Sequence, residues 1–230
     1  MNNFTTILWD VDGTLLDFLY SQRYAITKCF HSNGREITEE QIKRYSCIND
    51  DYWRRLELGE ITKDQLLTGR FVTLFEEYGI RDINLDAFMK EYQEALGSVY
   101  AFCDDSIDIC KVLKGKVQQY VITNGVTTTQ MHKLKISGLA EMMDNIFISE
   151  QVGSPKPQKE FFDYCLERIE EKEKSKILVV GDSLTSDIKG GVLAGIPTCW
   201  YRPETAVNDT PYRPDYEISD LHQIYEILHI

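Results

Sequence analysis

Short apolar runs that break off in small polar residues set the pattern of this chain. Thr5 to Trp9 stops at Asp10-Val11-Asp12-Gly13, Val117 to Thr123 closes on Asn124-Gly125, Asn145 to Ser149 runs into a loop, and Ile177 to Val180 closes on Gly181-Asp182. Runs this short, rich in β-branched and aromatic residues, read as buried strands ending in turns. A plausible helix follows each, and that alternation implies right-handed crossovers and a parallel sheet with helices on both faces, an α/β fold. Ligands of such open sheets bind at the C-terminal strand ends. Pro197 to Tyr201 and Asp215 to Ile218 predict further strands, and Leu221 to Leu228 a closing helix.

Between about residues 16 and 97 the pattern changes to helix after helix. Two capping-box signatures, Thr38-x-x-Gln41 and Thr62-x-x-Gln65, mark starts, and Gly34, Gly59, Gly79 and Gly97 fall near suitable stops. The spacing predicts an all-helical insertion of about four helices over 16–97, set into an α/β domain made of 1–15 and 98–230. Glu170 to Lys176 is a charge run that reads as a solvated helix end.

With 230 residues, 43% hydrophobic and 27% charged, and only 6 Pro and 14 Gly, the chain is an ordinary globular protein. Its formal charge of -12 argues against a nucleic-acid polymer as partner. A small phosphate ester would need a local cation, a metal ion or lysine, inside that field, which salt screens beyond about 8 to 10 Å. The six cysteines never form a C-x-x-C pair, and His31, His132, His222 and His229 show no metal-ligand spacing. No signal peptide precedes Asp10 and no apolar run reaches about 18 residues, so the sequence predicts no membrane span and a cytoplasmic protein.

Taken alone, Asp10-Val11-Asp12-Gly13-Thr14 is compatible with a simple turn after a strand. Residues two apart on extended backbone point the same way, however, so Asp10 and Asp12 can face one cavity as nucleophile and general acid and base. Three further pieces follow near predicted strand ends: Thr123-Asn124-Gly125, Ser154-Pro155-Lys156-Pro157, and Gly181-Asp182-Ser183-Leu184-Thr185-Ser186-Asp187.

In this order the pieces resemble the four motifs of the haloacid dehalogenase superfamily: D-x-D-G-T, a hydroxyl residue after a strand, a lysine, and G-D-x-x-x-x-D. The resemblance covers nearly the whole chain and implies a Rossmann-like core with 16–97 as the helical cap domain. It implies a Mg²⁺-dependent phosphatase acting on a small phosphate monoester, with Asp10 forming an aspartyl-phosphate and Asp12 giving a proton to the leaving alcohol and taking one from water. Thr123, Asn124 and Lys156 would bind the phosphoryl group. Asp10, Asp182 and the backbone carbonyl of Asp12 would hold Mg²⁺, and Asp187 would orient a metal-bound water. Members that remove halide lack an acid at position 12 and a metal, so dehalogenation is not expected. Phosphonate cleavage needs a cap lysine, but Lys28, Lys43, Lys63 and Lys90 read as solvated helix residues.

Tyr20, Tyr24, Tyr45, Tyr52, Trp53, Arg54 and Arg55 crowd the insertion. Aromatics at helical spacing are usually core, yet they also stack on nucleobases. Tyr52-Trp53-Arg54-Arg55 with Leu58-Gly59-Glu60-Ile61-Thr62 resembles the superfamily branch that hydrolyses pyrimidine nucleoside 5′-monophosphates. That likeness puts Tyr20, Trp53 and Arg54 against the substrate. A phosphosugar phosphatase or β-phosphoglucomutase-like mutase, and a non-catalytic nucleotide-binding protein, are the competing readings.

Overall fold

The computed structural model describes residues 4–202 and 205–230, so Met1–Asn3, part of the segment read above for a signal, lie outside the described residues. The chain divides into two compact units, Met1–Asp17 with Ala101–Ile230, and Phe18–Tyr100.

In the first unit, the described residues form one six-stranded sheet with all neighbouring pairs parallel, in the order β3-β2-β1-β4-β5-β6. The strands are β1 (Thr6–Trp9), β2 (Gln118–Thr123), β3 (Asn145–Ile148), β4 (Ile177–Gly181), β5 (Thr198–Tyr201) and β6 (Tyr216–Ile218). Every residue of β1 and β4 is buried, which is why these strands read as unbroken apolar runs and not as alternating ones. Thr6 lies opposite Gln118 of β2 and Ile177 of β4, so the three central strands run in step and end within two residues of one another. Residues far apart in sequence, Asp10, Thr123 and Asp182, thereby leave the sheet side by side.

The second unit holds α1 (Phe18–Ser32), α2 (Glu39–Glu57), α3 (Lys63–Glu77) and α4 (Leu85–Gly97). Both capping boxes form: Thr38 and Gln41 cap α2 reciprocally, and Thr62 and Gln65 do the same for α3. Gly34, Gly59 and Gly79 take positive φ after α1, α2 and α3. Gly97 differs from its expected role: it is the last residue of α4, and Ser98 caps that helix in a right-handed conformation. A core of Phe30, Tyr45, Phe71, Phe75, Phe88 and Tyr92 fills the unit, with Tyr45 stacked on Phe71 at 5.4 Å and 13°.

The sheet unit is completed by α5 (Ser106–Leu113), α6 (Thr127–Ile136), α7 (Ser149–Val152), α8 (Lys159–Arg168), α9 (Lys189–Ala194) and α10 (Ile224–Leu228). Where the helical unit leaves and re-enters the chain, Asp17 N–H donates to the Ala101 carbonyl at 2.9 Å, and Leu16 bridges Phe102. Among the described residues no helix is long and apolar enough to cross a membrane.

Candidate active site

Asp10 follows the last residue of β1, and its N–H continues the ladder by donating to the Val180 carbonyl at 2.9 Å. The chain then turns: Gly13 adopts φ +95°, a conformation that costs glycine least, and a Cβ there would lie 2.5 Å from Asp182 Oδ2. Glycine at 13 therefore serves both the turn and the approach of Asp182. Thr14 Oγ1 donates to Asp10 Oδ2 at 3.2 Å and to Asp182 Oδ1 at 3.5 Å, tying the two carboxylates together.

Lys156 arrives on the loop before α8 and is 2% exposed. Its ammonium donates to Asp10 Oδ1 at 2.7 Å, Asp187 Oδ1 at 2.7 Å and the Ile122 carbonyl at 2.9 Å, so each of its three protons has an acceptor. Burial alone would lower its pKa, but the two facing carboxylates outweigh it and hold the lysine above its ordinary range. Asp10 moves the other way: burial pushes it up to about 7, Lys156 pulls it down, and Asp187 and Asp12 push it up again. Thr123, 2% exposed, ends β2 with its hydroxyl accepting from Gly125 N–H at 3.1 Å.

The amide of Asn124 is committed to Lys156: Nδ2 donates to its carbonyl and Oδ1 accepts from its N–H, both at 2.9 Å. Asn124 thus fixes the backbone that presents the lysine. Asp187 lies on a wide π-type turn, Leu184–Ile188, whose first N–H groups are held by Ser183. Its Oδ2 accepts from Ser183 N–H at 3.2 Å. Trp200 Nε1 of β5 donates to the Asp182 carbonyl at 2.8 Å.

Oxygen atoms of Asp10, Asp182 and Asp187 lie within 4.8 Å of one another. With Asp12 added, four carboxylates face two buried lysines, Lys133 and Lys156, so the cluster lacks two positive charges. An all-oxygen donor set with that deficit fits a hard divalent cation.

Asp12, two residues on from Asp10, is gripped from α6: Lys133 Nζ donates to Oδ1 at 2.8 Å and Gln130 Nε2 to Oδ2. Neither residue was a candidate from the sequence. Lys133 is 0% and Gln130 1% exposed, although both occupy a helix whose apolar and polar residues are poorly segregated. The available signal was their spacing of three, which puts two long polar side chains on one helix face directly after the Thr123 turn. Gly125 makes room for Gln130, because a Cβ there would collide with its amide.

Tyr20, Trp53 and Arg54 belong to the helical unit. Tyr20 is exposed on α1, Trp53 is half-buried on α2 with Lys63 Nζ 5.4 Å from its ring, and Arg54 is exposed in the last turn of α2. Tyr45 and Tyr52 are packing residues: Tyr45 is fully buried, and Tyr52 lies against Gly69 and bonds Thr73 Oγ1 at 2.9 Å.

Residues 4–195 match the haloacid dehalogenase-like hydrolase family. The chain belongs to that family. Several hydrolase relatives match it over nearly the full length. YfnB of Bacillus subtilis, named as a HAD-hydrolase, is 37% identical over 100% of this chain and 97% of its own. Pyrimidine 5′-nucleotidase PynA of Streptococcus pneumoniae is 33% identical, covering 96% and 94%, and pyrimidine 5′-nucleotidase YjjG of Escherichia coli 30%, covering 96% of each. The crystal structure of YfnB, described as bound to magnesium, superimposes with a TM-score of 0.92 over 99% of this chain and 100% of that one. This member of the hydrolase family is a phosphatase with a Rossmann-like parallel sheet and a helical content consistent with a cap.

Proposed function

We propose that the chain is a cytoplasmic, magnesium-dependent 5′-nucleotidase that hydrolyses pyrimidine nucleoside 5′-monophosphates, with Asp10 as nucleophile. The observation that carries the chemistry is the pairing of Asp10 with Lys156 on one side and with Asp182 and Asp187 on the other, while Asp12 sits two residues along the same turn. PynA and YjjG, similar over nearly their full lengths, support the substrate class.

Asp10 forms a bond from a carboxylate oxygen to phosphorus as the bond from phosphorus to the 5′ oxygen breaks, and Asp12 hands its proton to that oxygen. Water then attacks the phosphorus of the aspartyl-phosphate and gives a proton to Asp12, which returns Asp10 as carboxylate and releases phosphate. Lys156 neutralises charge on the nucleophile and on the transferring group, and Thr123 donates to a phosphoryl oxygen, with the Asn124 backbone beside it. Mg²⁺, held by Asp10, Asp182 and the Asp12 carbonyl with Asp187 orienting its water, would supply the charge neutralisation that lets an anionic carboxylate approach an anionic ester. Tyr20, Trp53 and Arg54 are assigned to the nucleoside.

Phosphate release from UMP and dTMP with Mg²⁺ should exceed release from sugar phosphates by at least about 10-fold in kcat/KM, on the scale of a single recognised group. Equal rates on both classes, or conversion of a sugar phosphate to its isomer without free phosphate, would remove the nucleotidase assignment.

The grip on Asp12 gives a separate test. Lys133→Met should lower kcat on UMP by about 100-fold, the low end of what a positioned proton donor contributes. On p-nitrophenyl phosphate, whose leaving group needs little protonation, the loss should be smaller than about threefold. Equal losses on the two esters would show that Lys133 supports the fold and not the proton donor.

A further inference from the structure

Asp182 is the exposed member of the three-carboxylate cluster, and the contact from Thr14 Oγ1 to its Oδ1 is long, at 3.5 Å. The direction of its carboxylate therefore depends on its backbone. β4 ends one residue earlier, at Gly181, which lies opposite Trp200 in the ladder with β5. The Asp182 carbonyl thus falls beyond the last paired position of that ladder, where a backbone acceptor near the core still needs a donor.

A side chain supplies it. Trp200 is 5% exposed, and its Nε1–H donates to the Asp182 carbonyl at 2.8 Å. That carbonyl and the N–H of Ser183 belong to one planar peptide unit, and the Ser183 N–H donates to Asp187 Oδ2 at 3.2 Å. The plane is pinned at both ends, by an indole from β5 and by a carboxylate from the π-type turn. The preceding plane is held by the ladder, so both backbone torsions of Asp182 are set, and with them the direction in which its side chain leaves.

The indole has its own support. The Arg202 guanidinium carbon lies 5.4 Å from the Trp200 ring centroid, and its Nε donates to Glu217 Oε2 of β6 at 2.9 Å. A cation over the ring face steadies the indole without competing for its N–H. The outer strands β5 and β6 thus act on Asp182 through a chain of three contacts: Glu217 on Arg202, Arg202 on Trp200, and Trp200 on the Asp182 carbonyl.

We propose that Trp200 is a positioning residue for the cation site: by holding the peptide between Asp182 and Ser183 it aims the Asp182 carboxylate, and through Ser183 that of Asp187, at a divalent cation. The assignment rests on the magnesium reading above and deepens it. Trp200 acts through another residue's backbone, so its loss weakens cation binding and spares the chemical step once the site is filled.

The test is a Mg²⁺ titration of the metal-free parent, Trp200→Phe and Trp9→Phe, read as the rise in Tm and as the Mg²⁺ dependence of p-nitrophenyl phosphate hydrolysis. Trp200→Phe keeps an aromatic ring and deletes the N–H. It should need about 10- to 100-fold more Mg²⁺ for the same rise in Tm, the usual cost of losing a partner of a metal-holding group, with kcat at saturating Mg²⁺ within about threefold of the parent. Trp9→Phe is the matched control, because the Trp9 indole N–H also bonds across the sheet, to Gln119 Oε1 at 3.2 Å. It should lower the Tm of the metal-free protein and leave the Mg²⁺ requirement unchanged. A Trp200→Phe protein with the parent's Mg²⁺ requirement, or equal weakening in the two variants, overturns the inference and leaves the magnesium reading standing. A parent that does not respond to Mg²⁺ overturns both. If Trp200→Phe fails to fold, Arg202→Met decides: it leaves the indole N–H in place and removes the cation over the ring, so it should raise the Mg²⁺ requirement about two- to fivefold, the worth of such a contact. An unchanged requirement in that variant overturns the inference.

Discussion

Asp10→Asn removes phosphate release, by at least about 10,000-fold on the scale seen when a covalent nucleophile is deleted, while the protein stays folded. The substitution keeps the volume and an acceptor oxygen for Lys156, which also retains Asp187 Oδ1 and the Ile122 carbonyl. Nothing else in the cluster replaces the lost nucleophile: Asp182 and Asp187 belong to the β4 turn, and Asp12 is held from both oxygens by α6. Release measured at matched folded fraction is the readout. Turnover surviving within about tenfold would overturn the mechanism, because no covalent route through Asp10 would then be needed.

Mg²⁺ raises the Tm more at pH 8 than at pH 6, and Asp182→Asn erases most of that rise. Binding requires deprotonated carboxylates, so protons compete with the cation wherever a ligand's pKa is high. Burial pushes Asp10 up to about 7 from an ordinary 3.8, which places the competition between those pH values. For the metal-free chain the sign is opposite to that of a salt-bridged aspartate. Folded Asp10 keeps its proton over a range in which unfolded Asp10 has lost it, so its contribution is full below about 4 and is lost as pH rises toward about 7. Lys156, held above its ordinary range, contributes stability throughout that window and is lost only at much higher pH. Thermal melts at pH 6 and 8, with and without Mg²⁺, check both statements. A Mg²⁺ effect that is equal at the two pH values would exclude Asp10 as the titrating ligand.

Local chemistry made much of this architecture readable from the chain. The strand ends at Trp9 and Thr123, and the capping boxes at Thr38 and Thr62, depend on residues within four positions of each other, and the structure places all of them, while β4 runs one residue past the expected Val180, to Gly181. The gathering of Asp10, Thr123, Lys156 and Asp182 needed the strand order as well, which the motif order of the resemblance supplied. Lys133 and Gln130 escaped notice because their burial is set by β1 and its turn, more than 100 residues away, and not by α6 itself. Trp200 was hidden for a related reason: a tryptophan in an apolar strand ordinarily reads as core, and only the pairing of β4 with β5 brings its N–H to the Asp182 carbonyl. Gly97 misled because a glycine near a helix end suggests a left-handed stop, whereas Ser98 closes α4 without one.

The hydrogen bond from Asp17 to Ala101 has a meaning beyond the joint it closes. The segment between them leaves the sheet unit and returns at adjacent points, so the sheet experiences it as a closed loop whose entropic burden grows only with the logarithm of its length. Helices can be added, lost or exchanged within such a loop with little effect on the ladder below. One phosphoryl-transfer apparatus can therefore be passed, by changes to a single insertion, among lineages that act on different metabolites.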